Sequence, residues 1–271
     1  MLRFLKYHGL GNDFVIVDRL TGGPPISAAD AARLCDRHRG VGADGVLVVW
    51  PEPGAAARMQ VWNADGSEAQ NCGNGLRCVA RYLYDSGAVP TAVGAVAIRA
   101  GDGTYRCERR AGDRYAVAMG RARFAHPDLP GPGCELEDGG ARFAATSVHL
   151  GNPHAVIVVR DGDPRALAAA HGPALERHPS FPRRVNVTFA KPEPSGFEAA
   201  VFERGVGLTC ACGTGAAALA AAAVQTGLWP ASRPMSIRQP GGALSVVVDG
   251  GGEIVVEGEA VRVFAGEVSE P

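Results

Sequence analysis

The sequence predicts an α+β protein of two pseudo-symmetric domains, each a curled, mainly antiparallel sheet around a central helix. Three observations lead there. The chain has 271 residues, which at ~150 residues per domain is about 1.8 domains. One shift of the sequence onto itself, by 140 positions, brings landmark residues into register along most of its length. Each half also carries one apolar helical segment. The second, residues 213–226, is apolar on nearly every face and has to be buried on all sides.

The repeat is the strongest of these. Gly11-Asn12 recurs as Gly151-Asn152, Cys72-Gly73-x-Gly75 as Cys212-Gly213-x-Gly215, and Gly87-x-x-Pro90 as Gly227-x-x-Pro230. Past Pro90 the shift becomes 139 (Ile98-Arg99 against Ile237-Arg238) and then 138 (Gly120-x-Ala122 against Gly258-x-Ala260). A lone Gly or Ala match carries little weight in a chain rich in both. Asn, Cys and Pro landmarks on one shift are much harder to obtain by accident.

In chain order, short apolar or alternating runs bounded by Gly, Pro and Asp predict strands. In the first half these are residues 14–17, 46–49, 59–62, 96–98 and 115–119. In the second they are 156–159, 185–189, 197–202, 245–248 and 254–257. Ser27 with Asp30 three residues on resembles a capping box and predicts a helix to about His38. Asp163-Pro164 supplies an N-cap and a first-position proline for a short helix to about His171. The central helices follow each Cys-Gly. Residues 73–86 carry Leu76, Val79, Ala80 and Leu83 at helical spacing, and Gly87 and Gly227 supply left-handed stops.

Composition narrows the function classes. Hydrophobic residues make up 46%, charged residues 20%, and net charge is −1, so the chain reads as globular rather than disordered. The balanced charge argues against nucleic acid or a membrane surface as partner, since both demand a basic face. The start, MLRFLKYHGLGND, lacks the apolar stretch of a signal peptide. The longest strongly apolar run, 215–224, is half a bilayer span. Seven cysteines cannot all pair within one chain. A reducing, cytoplasmic setting is expected.

Cys72 and Cys212 each precede a central helix, whose first turn offers unpaired N–H groups and partial positive charge. That setting favours a thiolate and lowers its pKa, and the glycines that follow let an anion approach the bare N–H groups. If the halves pack face to face, two sulfurs can flank one carbon. One removes a proton, the other delivers one to the opposite face, and the stereocentre inverts. Taken singly, each cysteine reads as a small buried hydrophobe; their matched places in the repeat favour chemistry. A metal reading of Cys210-x-Cys212 and Cys72-x5-Cys78 fits no structural zinc spacing well. A phosphate-loop reading lacks Gly-Lys-Ser/Thr. Asn12, Asn63, Asn152 and Asn186 fall at or near strand ends, and Glu203 falls on Asn63 at the 140 shift. Arg204 could hold a carboxylate and Glu203 an ammonium group. His154 closely follows the repeated Gly-Asn. Each of these alone reads as turn or surface; together they suit a zwitterionic ligand.

The strings HGLGNDFVIVD (8–18), WNADGSEAQNCGNGLRC (62–78), GNPHAV (151–156), RRVNV (183–187) and FERGVGLTCACGTGAAA (202–218) closely resemble the diaminopimelate epimerase family, in order through nearly the whole chain. The resemblance implies a cofactor-independent, pyridoxal-phosphate-independent epimerase, without metal, that interconverts LL- and meso-diaminopimelate on the route to lysine and peptidoglycan. It implies Cys72 and Cys212 as the catalytic thiols. It implies substrate binding by Asn12, Asn63, Asn152, Asn186, Glu203 and Arg204, a backbone cradle at Gly73-Asn74 and Gly213-Thr214, and His154 as support. It further implies that the last strand, about 258–271, completes the first domain (1–117), leaving 118–257 as the second, and that the enzyme is a homodimer. Leu208 stands where the family usually has Glu, and Cys210 adds a third thiol. A related racemase of another amino acid, or a non-catalytic thiol protein binding metal or another ligand, are the alternatives.

Overall fold

The computed structural model describes residues 1–69, 72–101 and 103–269. The chain divides into two compact units, Met1–Val117 with Gly258–Pro271, and Ala118–Glu257.

In the first unit β1 (Leu2–Gly9) and β2 (Asn12–Asp18) form an antiparallel hairpin. Helix α1 (Ala28–Cys35) leads to β3 (Gly45–Trp50), parallel to β2. β4 (Ala57–Asn63) returns antiparallel, with the short β5 (Glu68–Ala69) on its end. Helix α2 (Gly73–Asp85) leads to β6 (Ala95–Ala100), parallel to β4. β7 (Gly103–Arg109) and β8 (Arg114–Arg121) follow as antiparallel neighbours.

The second unit repeats the plan. β9 (Gly133–Asp138) and β10 (Ala141–His149) pair antiparallel, and β11 (Pro153–Val158) pairs with β10. Helix α3 (Pro164–Leu175) leads to β12 (Asn186–Glu193), parallel to β11. β13 (Gly196–Glu203) returns antiparallel, with the short β14 (Gly207–Leu208) on its end. Helix α4 (Gly213–Gln225) leads to β15 (Met235–Gln239), parallel to β13. β16 (Gly242–Val248) and β17 (Glu253–Glu259) are antiparallel neighbours. Finally β18 (Val261–Val268) pairs with β1 from Leu2↔Val268 to His8↔Val261. It fills in the first unit the place that β9 fills in the second.

The sheets are mixed rather than simply antiparallel: each helix sits between two strands that lie parallel. That follows from connectivity, since adjacent parallel strands need a crossover and a helix supplies it. Helix α2 packs against β18, β1, β2, β3, β4, β6 and β7, so its sheet curls about it. Residues 73–80 are buried, with Tyr82, Leu83 and Tyr84. Helix α4 is buried from Gly213 to Ala223 and touches β10, β11, β12 and β16. Alanine suits it, because small side chains let a sheet approach from all around and alanine has the best helix propensity. The opposite sheet face is covered by α1 over Val15, Val17, Val46 and Val48, and by α3 over Ala155, Ile157, Val187 and Phe189. Burial on both faces explains why these strands read as unbroken apolar runs.

Helix α1 stops at Cys35, short of the expected His38. Asp36 leaves the helical region (φ −58°, ψ 119°), and its carboxylate accepts the His38 and Arg39 N–H groups at 2.8 and 2.9 Å. A local Asx turn outcompetes the next helical turn. Helix α3 runs past His171 to Leu175, with Pro173 inside it. No helix among the described residues is long and apolar enough to cross a membrane.

Candidate active site

Cys72 and Cys212 are the N-caps of α2 and α4, both in extended backbone. The Cys72 Sγ accepts the Gly75 N–H at 3.4 Å, and the Cys212 Sγ accepts the Gly215 N–H at 3.3 Å. Glycine at the third helical position is what permits this. A Cβ on Gly215 would lie 2.9 Å from Val201 Cγ2 and 3.3 Å from the Cys212 sulfur; on Gly75 it would lie 3.3 Å from Cys72 Cβ. The expected pairing of thiol and helix N-terminus is present in both units.

Its electrostatic consequence differs from the expectation at Cys212. Burial pushes that thiol well above its ordinary pKa, and the Glu203 carboxylate adds to the rise by charge and as a hydrogen-bond acceptor. Hydrogen bonds from Thr214 and the Gly215 N–H act the other way and do not prevail. The helix N-terminus contributes a lowering, but desolvation of an anion in a dry site outweighs it. Cys212 therefore rests as a thiol. None of the seven cysteines is in a disulfide; Cys35, Cys78 and Cys107 are buried, and burial pushes each up to about 12.

Around Cys72 the first unit builds a polar relay. Asn74 Nδ2 donates to Asn12 Oδ1 at 3.0 Å, and Asn12 Nδ2 donates to Asp44 at 2.8 Å. Arg37 bridges Asp44 and Asp13, and Lys6 pairs with Asp13. Asn63 closes its own turn: its backbone N–H donates to Ser67 O at 2.8 Å and its side chain to Ser67 Oγ at 3.0 Å.

In the second unit Glu203 acts on Cys212, and Asn152, His154, Asn186 and Arg204 lie at or next to neighbouring strand ends. Asn186 is buried; it donates to Pro153 O at 3.0 Å and accepts the Arg204 N–H at 2.9 Å, so it braces β11 against the end of β13. Thr209 Oγ1 donates to Glu203 at 2.6 Å, fixing that carboxylate. Arg204 donates to Arg183 O at 3.1 Å. His154 is fully buried, its Nε2 2.9 Å from Asn152 Oδ1. Burial, with the nearby His149 and Arg204, pushes it down to about 3, so it is neutral and orients Asn152.

Two functional candidates escaped the sequence reading. Gln239 is buried, accepts the Cys212 N–H at 2.6 Å and donates to Cys212 O at 3.1 Å, clamping the capping residue by its backbone. Arg77 is fully buried in α2 and donates to Asn74 Oδ1 at 2.7 Å. Both were findable: in the repeat Gln239 falls on Ala100 and Arg77 on Ala217, polar residues where the other copy is apolar.

Among the described residues, the side chains spaced as metal ligands could be are His126, Asp128 and His149, and no cysteine belongs to that group. The two imidazoles stack at 3.6 Å and 13°, so their in-plane lone pairs run side by side rather than converging. His126 Nδ1 accepts the Asp128 N–H, and Arg183 lies 3.5 Å from Asp128. These contacts make an ion-pair cluster rather than a ligand set.

The duplicated sheet-and-helix fold is the fold of solved amino-acid racemases and epimerases. It aligns with a probable proline racemase of Agrobacterium radiobacter (TM-score 0.74, 18% identity, 99% of this chain and 93% of that one). It aligns as well with a hydroxyproline epimerase of Agrobacterium vitis (TM-score 0.74, 18% identity, 98% and 91%). Those identities establish the fold alone. Sequence decides the family. The diaminopimelate epimerase model matches residues 4–125 and 146–263. Diaminopimelate epimerases of Pelotomaculum thermopropionicum and Xanthomonas axonopodis are 40% and 43% identical, over 98% of this chain and 98% and 96% of theirs. The chain belongs to the diaminopimelate epimerase family.

Proposed function

We infer that the chain interconverts LL- and meso-diaminopimelate, and we propose Cys72 and Cys212 as its two bases. The observation that carries the residue assignment is the matched capping of both central helices by a cysteine whose sulfur meets the third N–H of its helix. Inversion by two thiols requires one sulfur at each face of the reacting carbon. The thiolate takes the α-proton, negative charge spreads from the carbon into the α-carboxylate, and the opposite thiol gives its proton to the other face. The second sulfur is left as the thiolate, ready for the reverse reaction. The difficulty is the weak acidity of a carbon beside a carboxylate. N–H groups at helix starts, at Gly73-Asn74 and Gly213-Thr214, stabilise the charge that develops. Arg204 pairs with a substrate carboxylate and Glu203 with an ammonium group. Asn12, Asn63, Asn152 and Asn186 complete the polar shell, with His154 holding Asn152.

Incubation of LL-diaminopimelate in D2O tests this. Deuterium enters the inverted product at one α-carbon, and Cys72→Ser and Cys212→Ser each abolish turnover. Near-normal turnover in either variant overturns the two-base assignment. Preference for a monocarboxylic amino acid in a substrate panel favours a related racemase and overturns the substrate. The proposal extends to chemistry without a cofactor, tested by full activity after dialysis against chelator. It extends also to a cytoplasmic homodimer, the first supported by the odd cysteine count and the second by family resemblance. Light scattering at working concentration tests the dimer.

A further inference from the structure

Arg77 is fully buried, and arginine is almost never so placed unless paired. Its Nη2 donates to Asn74 Oδ1 at 2.7 Å and its Nε to Glu259 O at 3.3 Å, while Nη1 has no hydrogen-bond partner among the described residues. Asn74 in turn donates to Asn12 at 3.0 Å. The guanidinium is closely walled: a Cβ on Gly9 would lie 3.2 Å from Nη2 and 3.5 Å from Asn74 Cβ. The groups whose charges act on it are Cys72, which caps α2, Cys78 of α2, Cys107 of β7 and Glu259 of β17. Cys78 and Cys107 are pushed up to about 12 by burial, so they rest neutral and do not cancel its charge. The matching residue of the other central helix is Ala217.

We propose that Arg77 is a positioning residue, which sets Asn12 through Asn74 and supplies a buried positive charge that favours the thiolate form of Cys72. It does not touch substrate. Burial lowers the Arg77 pKa from its ordinary value, but a guanidinium starts so high that it stays charged at working pH, and in a dry helix its field is poorly screened. Only the first unit carries this device, so the two thiols differ in the charge they rest beside. The inference rests on the two-thiol reading for its catalytic meaning, but its test does not need turnover.

The experiment is alkylation by iodoacetamide across pH, followed at the Cys72 peptide by mass spectrometry, in the wild type, Arg77→Met and Arg77→Lys. With the charge removed, the pH midpoint at Cys72 rises by about a unit or more, while that at Cys212 stays. Arg77→Lys keeps the charge and leaves the Cys72 midpoint near wild type. Turnover measured beside it falls on the order of 10–100-fold in kcat/KM in Arg77→Met, the range seen when an orienting partner is lost. If Arg77→Met fails to fold, Arg77→Gln removes the charge while keeping a polar side chain beside Asn74; the same upward shift is expected. An unchanged Cys72 midpoint in a folded Arg77→Met or Arg77→Gln protein overturns the proposal. An intact midpoint shift in a protein that epimerises nothing would instead sink the functional reading and leave the charge device standing.

Discussion

Gln239→Ala removes the clamp on the Cys212 backbone. In the native protein the Gln239 carbonyl accepts the Cys212 N–H at 2.6 Å, and its amide donates to Cys212 O at 3.1 Å, both inside the core. Cys212 O also accepts the Ala216 N–H at 3.0 Å, so the carbonyl keeps a partner after truncation. The Cys212 N–H does not. A buried N–H left unpaired costs about 1–3 kcal/mol, and the small cavity adds about 1 kcal/mol, for a total of about 2–4 kcal/mol. In a unit of this size that lowers Tm on the order of 6–12 °C. Released from the clamp, the Cys212 sulfur also drifts. A misplacement of about 1 Å can lower turnover on the order of 100-fold. Differential scanning calorimetry and kcat measured well below Tm read the two effects separately. Gln239→Glu keeps an acceptor for the N–H, so it recovers part of the Tm, but its negative charge raises the pH midpoint for Cys212 alkylation. A Gln239→Ala protein with Tm within about 2 °C of wild type and unaltered kcat would show that the clamp holds nothing.

Three further outcomes are expected. Glu203→Gln removes the carboxylate that raises Cys212 and lowers its alkylation midpoint, while kcat/KM falls through loss of the ammonium partner; a midpoint that stays put contradicts the assigned cause. The buried thiols Cys78 and Cys107 rest near 12 against an ordinary 9.0. Their contribution is complete below pH 9 and is lost as pH rises toward 12, by about 1.4 kcal/mol per pH unit for each, so Tm falls steeply above pH 9. Replacing both by Ala or Val flattens that slope. His154, pushed down to about 3 from 6.5, is neutral when folded and protonated when unfolded across that window. Its contribution is present above pH 6.5 and lost as pH falls toward 3. In His154→Gln the dependence of Tm on pH between about 6.5 and 4 is weaker than in wild type, and an identical dependence would place the acid sensitivity elsewhere.

Where local signals and tertiary demands agreed, the sequence was legible. The two cysteine caps, the Gly87 and Gly227 stops (φ 75° and 74°) and the apolar strands buried on both faces were readable because one residue type serves one local purpose. Helix α3 runs one turn beyond the expected end at His171. Gly172-Pro173 reads as a terminator, yet a Cβ at Gly172 would lie 2.5 Å from the Phe202 ring. The glycine lets the helix meet β13 closely. Strands β9 and β10 were missed although Gly139-Gly140 is a strong two-residue hairpin signal between them. Strand β1 was missed because Lys6, Tyr7 and His8 break its apolar alternation; the buried Lys6 is neutralised by Asp13 from the next strand, a pairing no local pattern reveals. The lowered pKa expected at Cys212 failed for a similar reason, since burial and Glu203 arrive through tertiary structure.

The repeat also shows what duplication leaves to be changed. On the two-thiol proposal, two identical units would give two thiols of equal acidity, and nothing would decide which rests as base. The chain keeps the common frame, with matching caps and matching N–H to sulfur contacts, and departs from it in the charges. Asn63 of the first copy is Glu203 in the second, and Arg77 of the first is Ala217 in the second. A carboxylate beside Cys212 disfavours its anion. A buried guanidinium in the helix that Cys72 caps favours the opposite state there. On the two-thiol proposal, both differences act in the same sense, toward Cys212 as acid and Cys72 as base. Pseudo-symmetry thus provides two matched thiols, and on the proposed chemistry two substitutions off the symmetric pattern give the pair its direction. On this reasoning Glu203→Gln combined with Arg77→Met brings the two alkylation midpoints closer together than either change alone, and midpoints that remain as far apart as in wild type would place the origin of the asymmetry in the backbone instead.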